Sequence, residues 1–179
     1  AIRAITRVAI FHGIGVFGVY EGFSGLIQGG DMINLLTWNH VSGIIQEGGT
    51  ILGTARCEEF FKKNGRRSAV KNLLLNNIQY LCVIGGDGSL SGASILSDEF
   101  LEHFHALKGL EISIPLLSIH AVSFNELQPF LNVIGIVASI DNDMSDIEMT
   151  IGTDSALHRI VEAADSIKST AGSHQRVFI

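Results

Sequence analysis

Residues 80–93 carry three local signals in succession, and together these leave few folds open to the chain. Residues 80–84 form a short, largely apolar run, which is typical of a strand buried within a sheet. The glycines that follow at positions 85, 86 and 88 let the backbone turn sharply with no Cβ in the way. An apolar-patterned segment from Leu90 onward then predicts a helix. A strand that leads through a glycine-rich turn into a helix indicates an α/β fold.

The turn at 85–89 also has a chemical interpretation. Successive amide groups ahead of a helix N-terminus form a seat for phosphate. Asp87 suits such an anionic site when a cation such as Mg²⁺ joins it to the phosphates, which points to a nucleoside triphosphate and phosphoryl transfer. The same sequence is equally typical of a glycine-rich turn with a solvated aspartate, because short glycine motifs occur by chance.

The composition favours one globular domain and argues against a general nucleic-acid binder. Of the 179 residues, 46% are hydrophobic and 17% are charged, so the chain can bury a sizeable core. A formal net charge of −6 leaves no basic face for many nucleic-acid phosphates. Cys57 and Cys82 do not suggest a disulfide framework, so a reducing cytosol is expected, with Cys82 buried in its strand. We expect no membrane segment and no signal peptide.

Strands and helices alternate along the chain, which predicts βαβ units in a three-layer α/β fold with a mostly parallel sheet and helices on both faces. The first and last residues suggest that this fold is incomplete at both ends. Helices are predicted at residues 1–12, 37–47, 66–75, 90–104 and 155–170, strands at 14–20, 50–52, 80–84, 132–137 and from 177, and a loop at 21–31. Residues 107–129 fit no element and are interpreted as a variable insertion. Ligands of such folds bind beyond the carboxyl ends of the strands.

Residues 139–143 (Ser-Ile-Asp-Asn-Asp) follow the predicted strand at 132–137 and hold two carboxylates. On an extended segment Asp141 and Asp143 would point the same way, so that one could act as a general base for a hydroxyl and the other could orient it or hold Mg²⁺. An Asx-rich turn without any chemical role has the same composition.

Three further segments have polar side chains at the predicted ends of helices or strands. Thr153, Asp154 or Ser155 is predicted to cap the long helix that follows. Arg56 lies in a loop just past a predicted strand, and Arg176 directly precedes one. Arginine binds phosphate with a planar fork, although a solvated loop arginine is an equally good interpretation of either segment alone.

Together, six segments resemble the ATP-dependent 6-phosphofructokinases, specifically the N-terminal catalytic half of the eukaryotic enzymes. The matching segments are 20–22, 48–57, 85–90, 139–143, 151–159 and 173–176. The resemblance spans nearly the whole chain, least clearly at 107–129. It implies that residues 1–179 are part of one phosphofructokinase catalytic domain, mainly its ATP-binding lobe, with the phosphofructokinase-like arrangement of a parallel sheet between helices.

The resemblance implies a role for each candidate site residue. The ATP-binding residues would be Tyr20 beside the adenine, Arg56 and Cys57 bordering the nucleotide, and Gly86, Asp87, Gly88 and Ser89 around the phosphates, with Asp87 holding Mg²⁺ and Arg56 also reaching the transferred charge. The substrate-binding residues would be Ser139, Ile140 and Asp141, with Arg176 reaching the 6-phosphate of the sugar across a subunit boundary. Asp141 would be the catalytic base for the sugar 1-hydroxyl, with Asp143 beside it. Arg3, Arg7 and Lys168 match positions that bind a phosphorylated effector in bacterial relatives.

Gly88 and Ala138 favour ATP over pyrophosphate as the phosphoryl donor within this resemblance. Pyrophosphate-dependent relatives carry an aspartate at the first position and a lysine at the second. Glycine leaves room for the α-phosphate of ATP, and alanine offers no cation. Ala138 itself departs from the usual glycine, and its methyl group could crowd a close backbone approach.

The activity that the resemblance implies is phosphorylation of D-fructose 6-phosphate by ATP, which gives fructose 1,6-bisphosphate and ADP, the committed step of glycolysis. Such enzymes are allosteric, cytoplasmic homotetramers. The alternative is a non-catalytic regulatory or truncated chain that binds nucleotide or sugar phosphate. A lipid or NAD kinase shares the 85–88 loop but lacks the paired acids and Arg176. Since other phosphate and sugar ligands of the family are expected outside these residues, we expect little activity from the 179 residues alone.

Overall fold

The computed structural model of the chain describes residues 1–108 and 130–178. In chain order the elements are α1 (Ile2–Phe11), β1 (Val16–Val19), α2 (Gly22–Gln28), β2 (Ile33–Leu36), α3 (Lys63–Leu75), β3 (Tyr80–Gly85), α4 (Asp87–Lys108), β4 (Asn132–Ser139), β5 (Ile151–Gly152) and α5 (Thr153–His174). Contacts within the chain divide it into two compact units. The first unit is Ala1–Cys82 with Gly92–Ile134, and the second unit is Val83–Ser91 with Gly135–Ile179. Among the described helices, none has the length and apolarity that crossing a bilayer requires.

The first unit is built on a hydrophobic core to which α2, α3 and α4 contribute. Ala69, Val70 and Leu73 share one face of α3 and are 0% exposed. Phe23 of α2 stacks on Phe60 with ring centroids 3.8 Å apart, which joins that helix to the core. The buried cluster comprises Leu26, Ile33, Phe60, Ala69, Val70, Leu73, Leu96, Phe100, Leu107 and Leu131.

Three polar side chains tie α3 to α4 at the edge of this core. Arg66 donates to both carboxylate oxygens of Glu99, at 2.6 and 3.0 Å, and to the carbonyl oxygen of Phe60 at 2.9 Å. His103 Nε2 lies 3.0 Å from the same carboxylate. His103 is fully buried, and its Nδ1 has no hydrogen-bond partner among the described residues. A buried guanidinium requires such partners, so Glu99 fixes how the two helices pack.

The three-stranded sheet follows the order β3-β4-β5. β4 and β5 pair in parallel, with Ala138 opposite Ile151 and Ser139 opposite Gly152. β3 and β4 run in the same direction, because Asn132 N–H bonds the Gln79 carbonyl at one end and a Cβ on Gly86 would lie 3.8 Å from the Ala138 oxygen at the other. These parallel pairings, with α4 between β3 and β4 and α5 after β5, confirm the predicted α/β fold.

The first unit also contains an antiparallel pairing that the sequence analysis did not anticipate. β1 pairs with β2, with Val16 opposite Leu36 and Val19 opposite Ile33. The ladder continues where Tyr20 N–H donates to the Met32 carbonyl at 2.9 Å. The strand predicted at 14–20 is therefore confirmed as β1, whereas β2 was not predicted.

α2 replaces most of the loop predicted at 21–31, so that prediction is wrong. Glycine-rich sequence normally disfavours a helix by about 1 kcal/mol per glycine. Here Gly25 is required, because a Cβ at this position would overlap the carbonyl oxygen of Tyr20. Leu26 is 2% exposed and Phe23 packs in the core, so burial outweighs the local preference.

The helix predicted at 37–47 and the strand predicted at 50–52 are both absent from the structure, which has turns there. Gly43 has φ +75°, a left-handed conformation that interrupts a helix. Thr37 N–H donates to His40 Nδ1 at 3.0 Å within a turn of this segment. Val41 is 0% exposed and anchors this otherwise exposed segment.

Most element boundaries elsewhere agree with the sequence, with several corrections. The helices predicted from residues 66, 90 and 155 begin earlier, at Lys63, Asp87 and Thr153. Val177 and Phe178 are not in a strand, and Ile179 lies outside the described residues, as does most of the insertion at 107–129. Cys82 is exposed rather than buried, because it shares a face of β3 with Tyr80, which is 65% exposed.

Candidate functional site

The phosphate-loop candidate lies where β3 ends and the 22-residue helix α4 begins. Ser89 N–H and Leu90 N–H both donate to the Gly86 carbonyl, at 3.0 and 3.1 Å, so the helical hydrogen bonds start within the glycine motif itself. Asp87 is the first residue of α4 and is exposed. The Ser89 and Leu90 amides are thus already paired within the chain, and it is the helix dipole that makes this end favourable for an anion.

Two glycines of this loop differ in what they make room for. A Cβ on Gly85 would lie 2.7 Å from the Ser89 side chain, so the turn itself needs a glycine there. A Cβ on Gly88 would meet no described atom within 4 Å. The space above Gly88 is open to solvent and therefore available to a ligand.

The paired acids follow β4 directly and lie in the second unit together with the phosphate-loop candidate. A Cβ on Gly86 would be 3.8 Å from the Ala138 oxygen, which brings the loop next to the residue that precedes the acidic segment. Asp141 and Asp143 are both exposed. The structure thus brings the phosphate-loop candidate and the acidic segment to one edge of the sheet, as the sequence predicted.

The acidic segment is not extended, which corrects the geometric part of the prediction. Asn142, between the two acids, has φ +53°, in the left-handed region. Asp141 N–H donates to Ser139 Oγ at 3.1 Å in a local turn. The simple alternation of an extended strand therefore does not set the directions of the two carboxylates.

A network of hydroxyl and amide groups underlies this segment, and the sequence analysis missed most of it. Thr150, which is 4% exposed, donates its N–H to Asn142 Oδ1 at 2.9 Å and its hydroxyl to the Ser139 carbonyl. Thr153 Oγ1 lies 2.6 Å from Thr150 Oγ1 and 3.2 Å from the Ser139 oxygen. The sequence signal was the pair of threonines three residues apart at the start of a helix.

The predicted side-chain cap of α5 is wrong. Gly152, with φ +109°, is the N-cap residue, and no side chain caps the helix. Thr153 is the first helical residue, and its hydroxyl lies near Ser139 and Asn142 instead. The candidate caps therefore contribute to the loop network rather than to the helix end.

Tyr20 lines an open pocket in the first unit, with a volume of about 400 Å³. Glu21 N–H donates to the Leu52 carbonyl at 2.8 Å, which fixes one wall. The pocket is lined by Tyr20, Glu21, Asp31, Met32, Asn34, Ile51, Leu52 and Gly53. Its two carboxylates would repel phosphate, so it suits a neutral part of a ligand, such as a base or a hydroxyl-bearing sugar.

The remaining candidate residues lie in separate places. Arg56 is exposed, whereas the partly buried Cys57 packs against the core of the first unit. Arg7 places its guanidinium 4.3 Å from the centre of the Trp38 ring. Arg3 and Arg7 lie four residues apart on α1, and the Nε atoms of both are buried without a partner among the described residues. In the second unit, Lys168 is exposed on α5 and Arg176 is exposed just after it.

Two side chains outside these candidates, Glu99 and Cys82, have shifted pKa values. The hydrogen bond from Arg66 holds the pKa of Glu99 below its ordinary value, against the opposing effect of desolvation, and His103 adds to the lowering. Desolvation by neighbouring atoms raises the pKa of the Cys82 thiol although its side chain is exposed, which disfavours the thiolate. Among the described residues no three His, Cys, Asp or Glu side chains cluster as a metal site, so a metal here would need ligand oxygens as well.

Comparison with known proteins gives a consistent result over the whole chain. The family model described as phosphofructokinase matches residues 1–179. The muscle-type ATP-dependent 6-phosphofructokinase of Equus caballus is 48% identical over 179 residues, and the liver-type protein of Homo sapiens is 49% identical. Both alignments cover all of this chain, which spans 22% of the length of either relative.

Solved structures agree with the sequence relatives. The phosphofructokinase structure from Saccharomyces cerevisiae superposes with a TM-score of 0.84 at 42% identity, covering 98% of this chain and 22% of that one. The T-state structure of Pichia pastoris phosphofructokinase gives a TM-score of 0.77 at 43% identity, over 93% of this chain and 16% of that one.

Proposed function

Because the chain belongs to the phosphofructokinase family, we propose that it supplies the ATP side of a site that transfers the γ-phosphoryl group of ATP to the 1-hydroxyl of fructose 6-phosphate. The products are fructose 1,6-bisphosphate and ADP. One observation carries the proposal: the loop at Gly86 and the strand end at Ala138 meet in the second unit. A phosphate seat and a pair of acids at adjoining strand ends are what phosphoryl transfer to a hydroxyl needs.

In this proposal the loop at 85–89 holds the phosphates. The dipole at the N-terminus of α4 attracts them, Gly86 and Gly88 let them approach the backbone, and Ser89 lies beside them. Mg²⁺ fits here, since the exposed carboxylate of Asp87 together with phosphate oxygens and waters is an ordinary ligand set for that ion. When bound, Mg²⁺ neutralises charge on the transferring group.

Asp141 is proposed as the general base that takes the proton from the sugar 1-hydroxyl. Its exposure leaves it free to meet a substrate, and Asp143 adds a second carboxylate beside it. Ser139, Ile140 and Arg176 are proposed to contact the sugar phosphate, Arg176 from a neighbouring subunit. The exposed position of Arg176 after α5 is compatible with such a reach.

The base and ribose of ATP are proposed to lie by Tyr20, and Arg56 and Cys57 to border the nucleotide. The pocket that Tyr20 lines supports this, because its size and its carboxylates suit an uncharged ring bearing amino or hydroxyl groups. Residues 1–179 then form part of one catalytic domain, mainly its ATP-binding lobe.

The finer features of the enzyme are part of the same proposal. We infer a cytoplasmic, homotetrameric enzyme of glycolysis with a phosphorylated effector at Arg3, Arg7 and Lys168. The unpartnered Nε atoms of Arg3 and Arg7 support an anion there, because buried guanidinium groups ordinarily have acceptors.

Replacement of the proposed base tests this function in the protein expressed at its natural full length. Asp141→Asn keeps the shape of the side chain but removes its proton acceptor, so kcat should fall by about 10²- to 10⁴-fold while ATP binds normally. ADP release coupled to NADH oxidation measures kcat, and calorimetry measures ATP binding.

Asp165→Asn, on an exposed position of α5, is the matched control and should behave like the wild type. Near-normal turnover of Asp141→Asn would remove Asp141 as the base. A wild-type protein that binds ATP without turnover would instead favour the non-catalytic alternative.

A further inference from the structure

Four residues at and after the end of β4 are joined by more hydrogen bonds than a surface loop requires. Asn142 accepts from the Thr150 N–H at 2.9 Å through Oδ1 and donates through Nδ2 to the Glu148 carbonyl at 3.3 Å. The Thr150 hydroxyl donates to the Ser139 carbonyl. Thr153 adds its hydroxyl 2.6 Å from that of Thr150. We call Ser139, Asn142, Thr150 and Thr153 the loop network.

The two threonine hydroxyls converge on one acceptor. The Thr150 hydroxyl donates to the Ser139 carbonyl, whose oxygen also lies 3.2 Å from Thr153 Oγ1. Each hydroxyl has one proton, and either can be the donor in the 2.6 Å contact between them. Removal of the Thr150 hydroxyl would take away the nearest partner of both the Thr153 hydroxyl and the Ser139 carbonyl. Since Thr150 is 4% exposed, water cannot readily replace it.

The network acts on the backbone that carries the acids. Asn142 holds φ +53°, a left-handed conformation that asparagine adopts more readily than most residues, and both polar atoms of its side chain are hydrogen-bonded. The carboxylates of Asp141 and Asp143 are exposed and make no hydrogen bond to the described residues. Within the described residues, the main chain and the side-chain rotamers of the two acids therefore set where the carboxylates lie.

On the proposed function, we infer that Thr150 and Asn142 are positioning residues that fix the main chain at 141–143, so that Asp141 meets the substrate hydroxyl without first reorganising. The geometry of a general base matters steeply, because a misplacement of about 1 Å can cost about 10²-fold in rate. Neither residue touches substrate in this proposal. Their loss should therefore lower kcat and leave ATP binding intact.

Paired substitutions in the protein at its natural full length separate positioning from packing. Thr150→Val keeps the size and the backbone N–H but loses the hydroxyl, and it should lower kcat by about 10- to 100-fold with the KM for ATP unchanged. Thr150→Ser restores the hydroxyl and should recover most of the lost kcat. Thr170→Val makes the same change at an exposed site on α5 and should have no effect.

Asn142→Gly removes the two side-chain hydrogen bonds of Asn142 without straining the backbone. Glycine adopts φ +53° freely, so folding is preserved, but both side-chain bonds are lost. We expect kcat to fall as in Thr150→Val. Equal kcat for Thr150→Val and Thr150→Ser, or losses that simply follow a lowered Tm or weaker ATP binding, would overturn the positioning role.

Hydrogen–deuterium exchange distinguishes a failure of this inference from a failure of the proposed function. Amides of residues 139–150 should exchange faster in Thr150→Val and Asn142→Gly than in the wild type, and at the wild-type rate in Thr150→Ser. This measurement needs no turnover. Should the wild type have no kinase activity, altered exchange would still support the network as the holder of the acids, and unaltered exchange would refute it.

Discussion

Helices α3 and α5 carry the same kind of sequence pattern in the two units but differ completely in burial. α3 has 13 residues and buries five of them, including Val70 and Leu73. α5 has 22 residues and buries none. Its apolar side chains stay exposed, Leu157 by 56% and Ile160 by 64%. An amphipathic pattern thus predicts that a helix forms and which face is apolar, but not whether the partner of that face lies within the same stretch of chain.

Different interactions stabilise the interior of each unit. The first unit rests on a contiguous apolar core and one buried ion pair. Around the acidic segment, the described contacts of the second unit are mainly hydrogen bonds of the loop network. Apolar burial contributes about 25 cal/mol per Å², whereas one hydrogen bond contributes about 1 kcal/mol net. Stability therefore resides mainly in the first unit, and the geometry proposed for catalysis resides in the second.

The difference in burial between α3 and α5 should have its largest effect when one leucine of each helix is replaced by alanine. Leu73→Ala, at a position 0% exposed, should lower the free energy of unfolding by about 2–5 kcal/mol through lost burial and a residual cavity. Leu157→Ala, at 56% exposure, should change it by less than about 0.5 kcal/mol. Urea denaturation followed by circular dichroism measures both. Equal losses would mean that another part of the protein covers α5, and the contrast would then hold only for these residues.

Ion pairs of the first unit give the next largest effect. Glu99→Ala leaves Arg66, whose side chain is 10% exposed, without its main partner and should cost about 2–4 kcal/mol. Glu102→Ala breaks a pair with Lys63 whose members are 56% and 58% exposed, and it should cost less than about 1 kcal/mol. The same denaturation measurement compares the two variants. A loss for Glu102→Ala as large as that for Glu99→Ala would remove the distinction between buried and surface pairs.

The same carboxylate makes the first unit sensitive to acid. The pKa of Glu99 is lowered in the folded state, mainly by its hydrogen bond to Arg66. Its contribution to stability is therefore complete above the ordinary value of 4.5 and is lost as the pH falls through the lower folded value. Stability of the wild type should fall over that range, and the fall should be shallower in Glu99→Gln. An identical pH dependence in the two proteins would contradict this assignment.

The sequence predicted the strand, turn and helix at residues 80–108 better than it predicted several other elements, for a physical reason. The β3 strand, its glycine turn and α4 are encoded within one continuous stretch, so local pattern suffices. α2 depends on Gly25 lying against Tyr20 and on Phe23 stacking with Phe60, which are tertiary contacts. Apart from the contact between Thr150 and Thr153, the loop network depends on bonds between residues 6 to 14 positions apart, which no local pattern displays.

Substitutions at Gly88 should have the smallest effect on the free energy of unfolding, so their effect on ATP binding can be measured separately. A Cβ there meets no described atom within 4 Å, so Gly88→Ala should leave the free energy of unfolding nearly unchanged, unlike Gly85→Ala, whose Cβ would lie 2.7 Å from Ser89.

Gly88→Asp should also fold normally, since a carboxylate in the first helical turn is favoured by the dipole. It should nevertheless weaken ATP binding by about 10-fold or more, because a second negative charge beside Asp87 repels the phosphates and occupies their space. Calorimetric titration with Mg·ATP measures this loss, and the alanine variant separates the effect of bulk from that of charge. Unchanged ATP binding by Gly88→Asp would show that the phosphates do not pass over Gly88, and the phosphate seat at the start of α4 would have to be abandoned.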